Sequence, residues 1–276
     1  MAYNKVVDSA RLDGALTATA DAIRGKTGNA DGIQWDADTG FAAAVDAITT
    51  GGGDTADIAA AIVDRTITEY SNPNLTVVGN YAFYVCRQLT HVHLPAVKEI
   101  KEHAFRYCSM AEVDFPELEI LGMQAFNTCG KLARIHMPKI KKIEMFTFVS
   151  CTALENVVFQ AVEEIQNGCF SSCTNLRKAD FHALKTISLA DCFNNDTKLT
   201  AVIIRSNSMA TLSVATQFAN TPIASGTGYI YVPAALIEQY KVATNWATFA
   251  DQFRALEDYT VDGTIMGELD ETKIAG

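Results

Sequence analysis

From Leu75 to Ile204 apolar and polar positions recur in a fixed order: an apolar residue, a polar spacer, an Ala-Phe-like pair, a Cys three residues on, then Leu-x-x-Val-x-Leu-Pro. The marker phenylalanines are Phe83, Phe105, Phe126, Phe148, Phe170 and Phe193, spaced by 22, 21, 22, 22 and 23 residues. A unit this short cannot enclose a core of its own and must stack on its neighbours, which predicts a solenoid. The short step reflects one residue fewer between Cys108 and the following strand, and the long one an extra residue between Ile187 and Phe193.

Each unit offers one strand. In Leu89-x-x-Val92-x-Leu94-Pro95 the Val and Leu stand two apart and point the same way, into the core. The equivalent inward positions are Val113 and Phe115, Ile135 and Met137, Val157 and Phe159, Ala179 and Phe181, and Val202 and Ile204. The positions between them face outward in two columns. One runs His91, Glu112, Arg134, Asn156, Lys178, Ala201, and the other His93, Asp114, His136, Val158, Asp180, Ile203.

The flanks follow other rules. Leu12, Leu16, Ala20 and Ile23 mark one face of a helix, and Phe41 to Ile48 predicts a second, giving a helical module over residues 1–50. Gly51-Gly52-Gly53 opens a linker and N-terminal cap over 51–74, in which Ile67 to Tyr70 reads as a strand. The solenoid is expected over 75–205, followed by a cap over 206–254. There Tyr229 to Val232 forms a strand and Pro233 opens a helix carrying Leu236, Ile237, Tyr240, Trp246, Phe249 and Phe253. Residues 255–276 form an acidic tail. The class expected is an α/β repeat, a solenoid between a helical module and a strand-plus-helix cap; the resemblance described below implies that it is right-handed and leucine-rich-repeat-like.

Charge and cysteine usage narrow the function. Net charge is −10, with −6 over residues 1–70, +1 over 71–205 and −5 over 206–276. No basic stripe exists to meet phosphates, which argues against a nucleic-acid partner. No apolar run reaches membrane-spanning length, and the start lacks the pattern of a secretory leader, so the expectation is synthesis in the cytoplasm without membrane insertion. Cys86, Cys108, Cys129, Cys151 and Cys173 share one slot of the repeat. Equivalent slots in stacked coils point in parallel, poor geometry for disulfides, so a reduced, buried cysteine ladder is expected. Cys169 and Cys192 take the slot that Ala fills elsewhere. No Cys-x-x-Cys pair suggests zinc.

No constellation of catalytic residues emerges. Gly25-Lys26-Thr27 lacks the glycine a phosphate loop needs five residues earlier, where Ala20 stands, and it closes a helix instead of opening one. His91-x-His93 pairs two outward imidazoles, but His136 is about 10 Å away at ordinary strand spacing, too far to share an ion. The chain is therefore expected to be no enzyme and to hold no cofactor or metal. The outward columns remain: His91, His93, Glu112, Asp114, Arg134, His136, Asn156, Lys178 and Asp180 form either a recognition surface, the common use of such a face, or a merely solvated one.

The unit Ile100-x-x-x-Ala104-Phe105-x-x-Cys108, with Met110-x-x-Val113-x-Phe115-Pro116 after it, resembles the BspA-type leucine-rich repeat. That resemblance implies a surface adhesin of anaerobic bacteria or a tail-associated protein of phages of Gram-positive hosts. The stretches Ala22 to Gly28, Ile62 to Tyr70 and Thr260 to Lys273 resemble tail-fibre and minor structural proteins of such phages. The reading that follows is a virion tail protein held to tail or baseplate proteins by its N-terminal module. Its solenoid would face a host-surface glycan or protein, with a homotrimer expected. The alternatives are a cellular adhesin and a purely structural virion component.

Overall fold

The computed structural model describes residues 65–259. The expected N-terminal helices, the Gly51–Gly53 linker and residues 260–276 of the tail lie outside them. The described chain winds through two ladders of parallel strands. The longer strands are β1 (Glu69–Ser71), β3 (His91–His93), β5 (Glu112–Asp114), β7 (Arg134–His136), β9 (Asn156–Phe159), β11 (Lys178–Phe181), β13 (Ala201–Ile204), β15 (Tyr229–Val232) and β16 (Phe253–Ala255). Between them lie two-residue strands: β2 (Val77–Val78), β4 (Glu99–Ile100), β6 (Ile120–Leu121), β8 (Lys142–Ile143), β10 (Glu164–Ile165), β12 (Thr186–Ile187) and β14 (Thr211–Leu212).

The long ladder is not continuous. β1 pairs with β3, β5 with β7, and β9, β11, β13, β15 and β16 form one sheet. The first break, between β3 and β5, falls at the coil shortened by one residue. There the backbone contact is a single bond from Ser109 N–H to the Leu89 carbonyl at 3.0 Å. Registers keep outward residues in columns, as Glu112 opposite Arg134, Asp114 opposite His136 and Lys178 between Asn156 and Ala201 show.

Among the described residues no helix precedes Ala215, which corrects the α/β expectation for the coils. The reason lies in the backbone around each marker phenylalanine. The residues two before and two after it, such as Tyr81 and Val85, His103 and Tyr107, or Gln124 and Thr128, hold φ between 56° and 67°. Left-handed residues cannot continue an α-helix. They instead direct alternate N–H groups along the solenoid: Tyr81, Phe83 and Val85 donate to the carbonyls of Glu102, Ala104 and Arg106 at 2.8–3.0 Å. The backbone of the turn is thereby satisfied by the next coil.

Inside, the marker rings form one stack. Centroids from Phe83 through Phe105, Phe126, Phe148, Phe170 and Phe193 are 5.1–5.7 Å apart, with interplanar angles of 2–11°. All six rings are fully buried. The stack continues past Ile204, where the sequence period fades, because Phe218 lies 5.5 Å from Phe193 at 4°. Phe249 then meets Phe218 edge-on at 5.2 Å and ends the series. Phe249 belongs to the cap, in which the helix α1 (Ile237–Val242) and a 3₁₀ segment (Trp246–Gln252) carry Tyr240 and Trp246 into the core. The Tyr240 hydroxyl accepts from Ala210 N–H at 2.7 Å and Trp246 Nε1 donates to the Ala210 carbonyl at 2.8 Å, so both polar tips are paired. The expected single helix is interrupted at Asn245, whose φ is 65°, and it closes with β16.

The cysteines are buried and free, as expected. Their slot has a definite task. Cys108, Cys129, Cys151 and Cys173 each donate Sγ–H to the carbonyl of the marker Phe one coil back, at 3.1–3.2 Å. Burial pushes these thiols up, Cys129 to about 12, which keeps them protonated, donating and poorly reactive. In the sixth coil the slot holds Asp196. Its Oδ1 accepts from Cys173 N–H at 2.7 Å, while Oδ2 is buried without a partner. Burial raises this carboxyl well above its ordinary range, against the lowering effect of the Cys173 bond.

Two consequences are measurable. A folded-state value above the unfolded one gives a contribution complete below about pH 3.9, the ordinary Asp value, and lost as pH rises through the folded value. Asp196→Cys is therefore expected to stabilise the protein at pH 7 by roughly 1–3 kcal/mol, the cost of one unsatisfied buried group. Urea titrations at successive pH values should show this advantage shrinking as pH falls toward 4. Separately, Val85 is a β-branched residue in a left-handed slot filled by Asn195 in a later coil. Val85→Asn is expected to raise the urea midpoint by the equivalent of about 1 kcal/mol.

Candidate functional site

The outward positions of the long strands are free of the core because side chains alternate across a strand. His91, His93, Glu112, Asp114, Arg134, His136 and Asn156 are exposed, as the sequence pattern requires. Most are joined to one another. Arg134 Nε and Nη2 both reach Glu112 Oε2, at 3.0 and 2.5 Å, and His136 Nδ1 lies 2.7 Å from Asp114 Oδ1. His91 Nδ1 lies 2.9 Å from Thr90 Oγ1.

The same device recurs beyond the strand face. Lys139 meets Glu117 at 2.6 Å and Lys185 meets Glu163 at 2.7 Å, in each case a base joined to the acid 22 residues earlier. The hydrogen bond from the lysine, then its charge, lowers the carboxyls of Glu117 and Glu163. Exposed pairs of this kind contribute little individually. Their regularity fixes which charges face each other along the solenoid.

Toward the C-terminal end the face changes character. Lys178 is half-buried and Asp180 is buried, which corrects the expectation that Asp180 is an accessible recognition residue. Arg205, just past β13, reaches back to grip Asp180 with two bonds, Nε to Oδ1 at 2.8 Å and Nη2 to Oδ2 at 2.7 Å. The two side chains are 8% and 6% exposed, so this pair works as a clamp between coils. His182 Nε2 stands 3.8 Å from Asp180. Burial lowers its imidazole, with Asp180 pulling the other way. Further on, Ala201, Ile203 and Tyr231 pack as a second apolar cluster with Tyr229 and Leu256, closing the face. Arg254 lies over the Tyr229 ring, 4.1 Å from its centroid.

The accessible array is therefore the part built on β3, β5, β7 and β9, in three separate ladders instead of one unbroken sheet. The Asp180–Arg205 clamp was missed because Arg205 lies outside the repeated strand positions. Its signal was the spacing of 25 residues, close to the 22 that joins the other pairs. Among the described residues no group of three His, Cys, Asp or Glu is placed to hold a metal ion.

Residues 76–200 match the profile of the BspA type leucine rich repeat region, in 6 copies. That span contains the six marker phenylalanines, and Phe218 lies beyond it. A leucine-rich repeat protein from Eubacterium ventriosum is 23% identical, with a TM-score of 0.49, over 57% of this chain and 44% of that one. A leucine rich repeat protein of T. pallidum is 27% identical, with a TM-score of 0.45, over 49% of this chain and 65% of that one. A leucine rich cell surface protein from Faecalibacterium prausnitzii is 18% identical, with a TM-score of 0.35, over 70% of this chain and 65% of that one. This chain thus spans less than half of the first and just under two thirds of the others. No curated protein matches its sequence.

The clamp and the exposed pairs separate in a stability experiment. Asp180→Ala leaves the Arg205 guanidinium buried without its counter-charge and is expected to cost about 3–5 kcal/mol. The apolar double replacement Asp180→Leu with Arg205→Met should recover most of that loss. Arg134→Ala should change stability by no more than about 0.5 kcal/mol. Urea unfolding of the three variants measures all of these.

Proposed function

We propose that the repeat region is a non-enzymatic recognition module whose strand face binds a component of a bacterial surface. One observation carries the reading. Four successive coils of the region that matches the BspA type repeat hold an exposed array of alternating charge and hydrogen-bonding groups that the core does not use: His91, His93, Glu112, Asp114, Arg134, His136 and Asn156. A rigid stack of coils displays such groups at fixed spacing, and several copies would raise effective affinity without new contacts. The partner is a surface glycan or protein that supplies charges of both signs.

Two settings use such a module. The repeat type favours an adhesin of a cell surface. The likeness of Ala22–Gly28 and of residues 260–273 to phage tail proteins favours a second setting, a tail-fibre protein held to the tail or baseplate through its N-terminal residues. A label on the C-terminal cap separates them: envelope staining selects the adhesin, and staining at the tip of a phage tail selects the fibre.

The strand face itself is tested by replacing Asp114, Arg134 and His136 together with Ala. Each change is expected to alter stability by no more than about 0.5 kcal/mol. Binding of the labelled protein to whole bacteria should fall by about tenfold or more, on the scale of one lost charge-assisted contact. Unchanged binding by the folded variant would remove this face from recognition.

A further inference from the structure

The turn edge of the first two coils carries a group of side chains that neither the core nor the strand face explains. Tyr107 sits in a left-handed position two residues past Phe105, with φ 67°. Two guanidiniums lie over its ring, Arg106 Cζ at 4.7 Å and Arg87 Cζ at 5.2 Å from the centroid. Arg106 Nη2 donates to the Tyr107 hydroxyl at 2.9 Å. In the same coils His103 stacks on Tyr81 with centroids 4.6 Å apart at 10°. His103 Nδ1 and Arg106 Nε are both buried and have no hydrogen-bond partner.

Charge pairing sets this edge apart. Three exposed cations are joined to the acid 22 residues earlier, Arg134 to Glu112, Lys139 to Glu117 and Lys185 to Glu163, and Lys142 and Lys241 pair with acids close in the chain, Glu144 and Glu238. Position 65, which is 22 residues before Arg87, holds another arginine, and position 84, 22 before Arg106, holds a tyrosine. Burial, and then the charge of Glu102, raises Tyr81, and among the described residues Glu102 forms no ion pair with Arg87 or Arg106. Burial, and then the charge of Arg106, lowers His103 to about 4, so its imidazole is neutral and one ring nitrogen can donate.

We propose that Arg87, Arg106, Tyr107 and His103 form an oxyanion site on the turn edge, which takes a carboxylate or phosphate group of a ligand. A guanidinium lying over an aromatic face gains from the ring's negative face and keeps its N–H groups in the plane, where they meet two oxygens at once. An arriving oxyanion supplies the counter-charge that neither arginine is given by an acid among the described residues. The aromatic bed holds the arginines without neutralising them, the arrangement a reversible anion site needs. The site is separate from the strand face, and its test is independent of that face.

The test uses the full chain, titrated by calorimetry at low salt with three probes: a glucuronate-containing tetrasaccharide, a glycerol-phosphate oligomer and a neutral glucan of equal length. The expected result is binding of one or both anionic probes, weakened by added salt, with no binding of the neutral one. Preference for the uronate assigns a carboxylate ligand and preference for the glycerol phosphate assigns a phosphate. Arg87→Gln with Arg106→Gln should weaken binding by about tenfold or more, the loss of charge-assisted bonds, with the unfolding midpoint retained. Asp114→Ala with Arg134→Ala and His136→Ala should leave this binding unchanged. If the Gln pair fails to fold, the Lys pair decides: it keeps both charges without the planar fork, and it should bind measurably less well. Absence of anion binding by the unaltered chain, equal affinity in the folded Gln pair, or equal affinity in the Lys pair would overturn the proposal.

Discussion

Face-to-face packing of one phenylalanine per coil is the contact on which the rest of this protein depends. A coil of about 22 residues encloses too little apolar volume to fold by itself, so the faces of each ring are covered by the rings before and after it. Centroid spacings of 5.1–5.7 Å slightly exceed the usual separation of hydrogen-bonded strands, as offset rings require. The left-handed residues on either side of each ring follow from that spacing. They turn the backbone sharply enough to deliver the next Phe one coil further on, while passing N–H groups to the next turn.

Polar groups inside the stack obey the same period. The thiol column works because a protonated Cys is small, tolerates burial and still donates to the carbonyl one coil back. Where the period lapses, larger groups take over: Asp196 in the sixth coil, the buried Gln217 bonded to Cys192 N–H and the Leu189 carbonyl, and Thr221 bonded to the Phe218 carbonyl. These substitutions collect at the C-terminal end, where the coils also lengthen. Leu189, in the stretch holding the extra residue of the long step, is 51% exposed with φ 64°. The insertion is thus absorbed at the turn edge, and Phe193 stays in the stack.

Surface charge follows the coil as well. Acids and bases 22 residues apart meet across neighbouring coils, so much of the charge on the strand face is neutralised within the fold. The exceptions matter more than the pairs. Asp180 and Arg205, 25 residues apart, form a buried pair that is structural, whereas Arg87 and Arg106 stand on an aromatic bed with no acid partner among the described residues.

The repeat, the inward strand residues, the buried Phe and Cys columns and the exposed character of His91 through Asn156 were all legible in the sequence. Each follows from side-chain alternation and a fixed period, which are local properties of the chain. The coils were expected to carry helix, and nothing local contradicted that. Left-handed φ at residues such as Val85, Tyr107 and Phe146 runs against their own preference and is held only by hydrogen bonds from the adjacent coil. The same holds for Phe218, which joins the stack despite a step of 25 residues because the sheet continues from β13 to β15 beneath it. Asp180 and Arg87 show the division most plainly. Sequence placed one in an outward column and gave no reason to single out the other. Burial under a clamp and stacking without a counter-ion depend on side chains that come together only when separate coils pack.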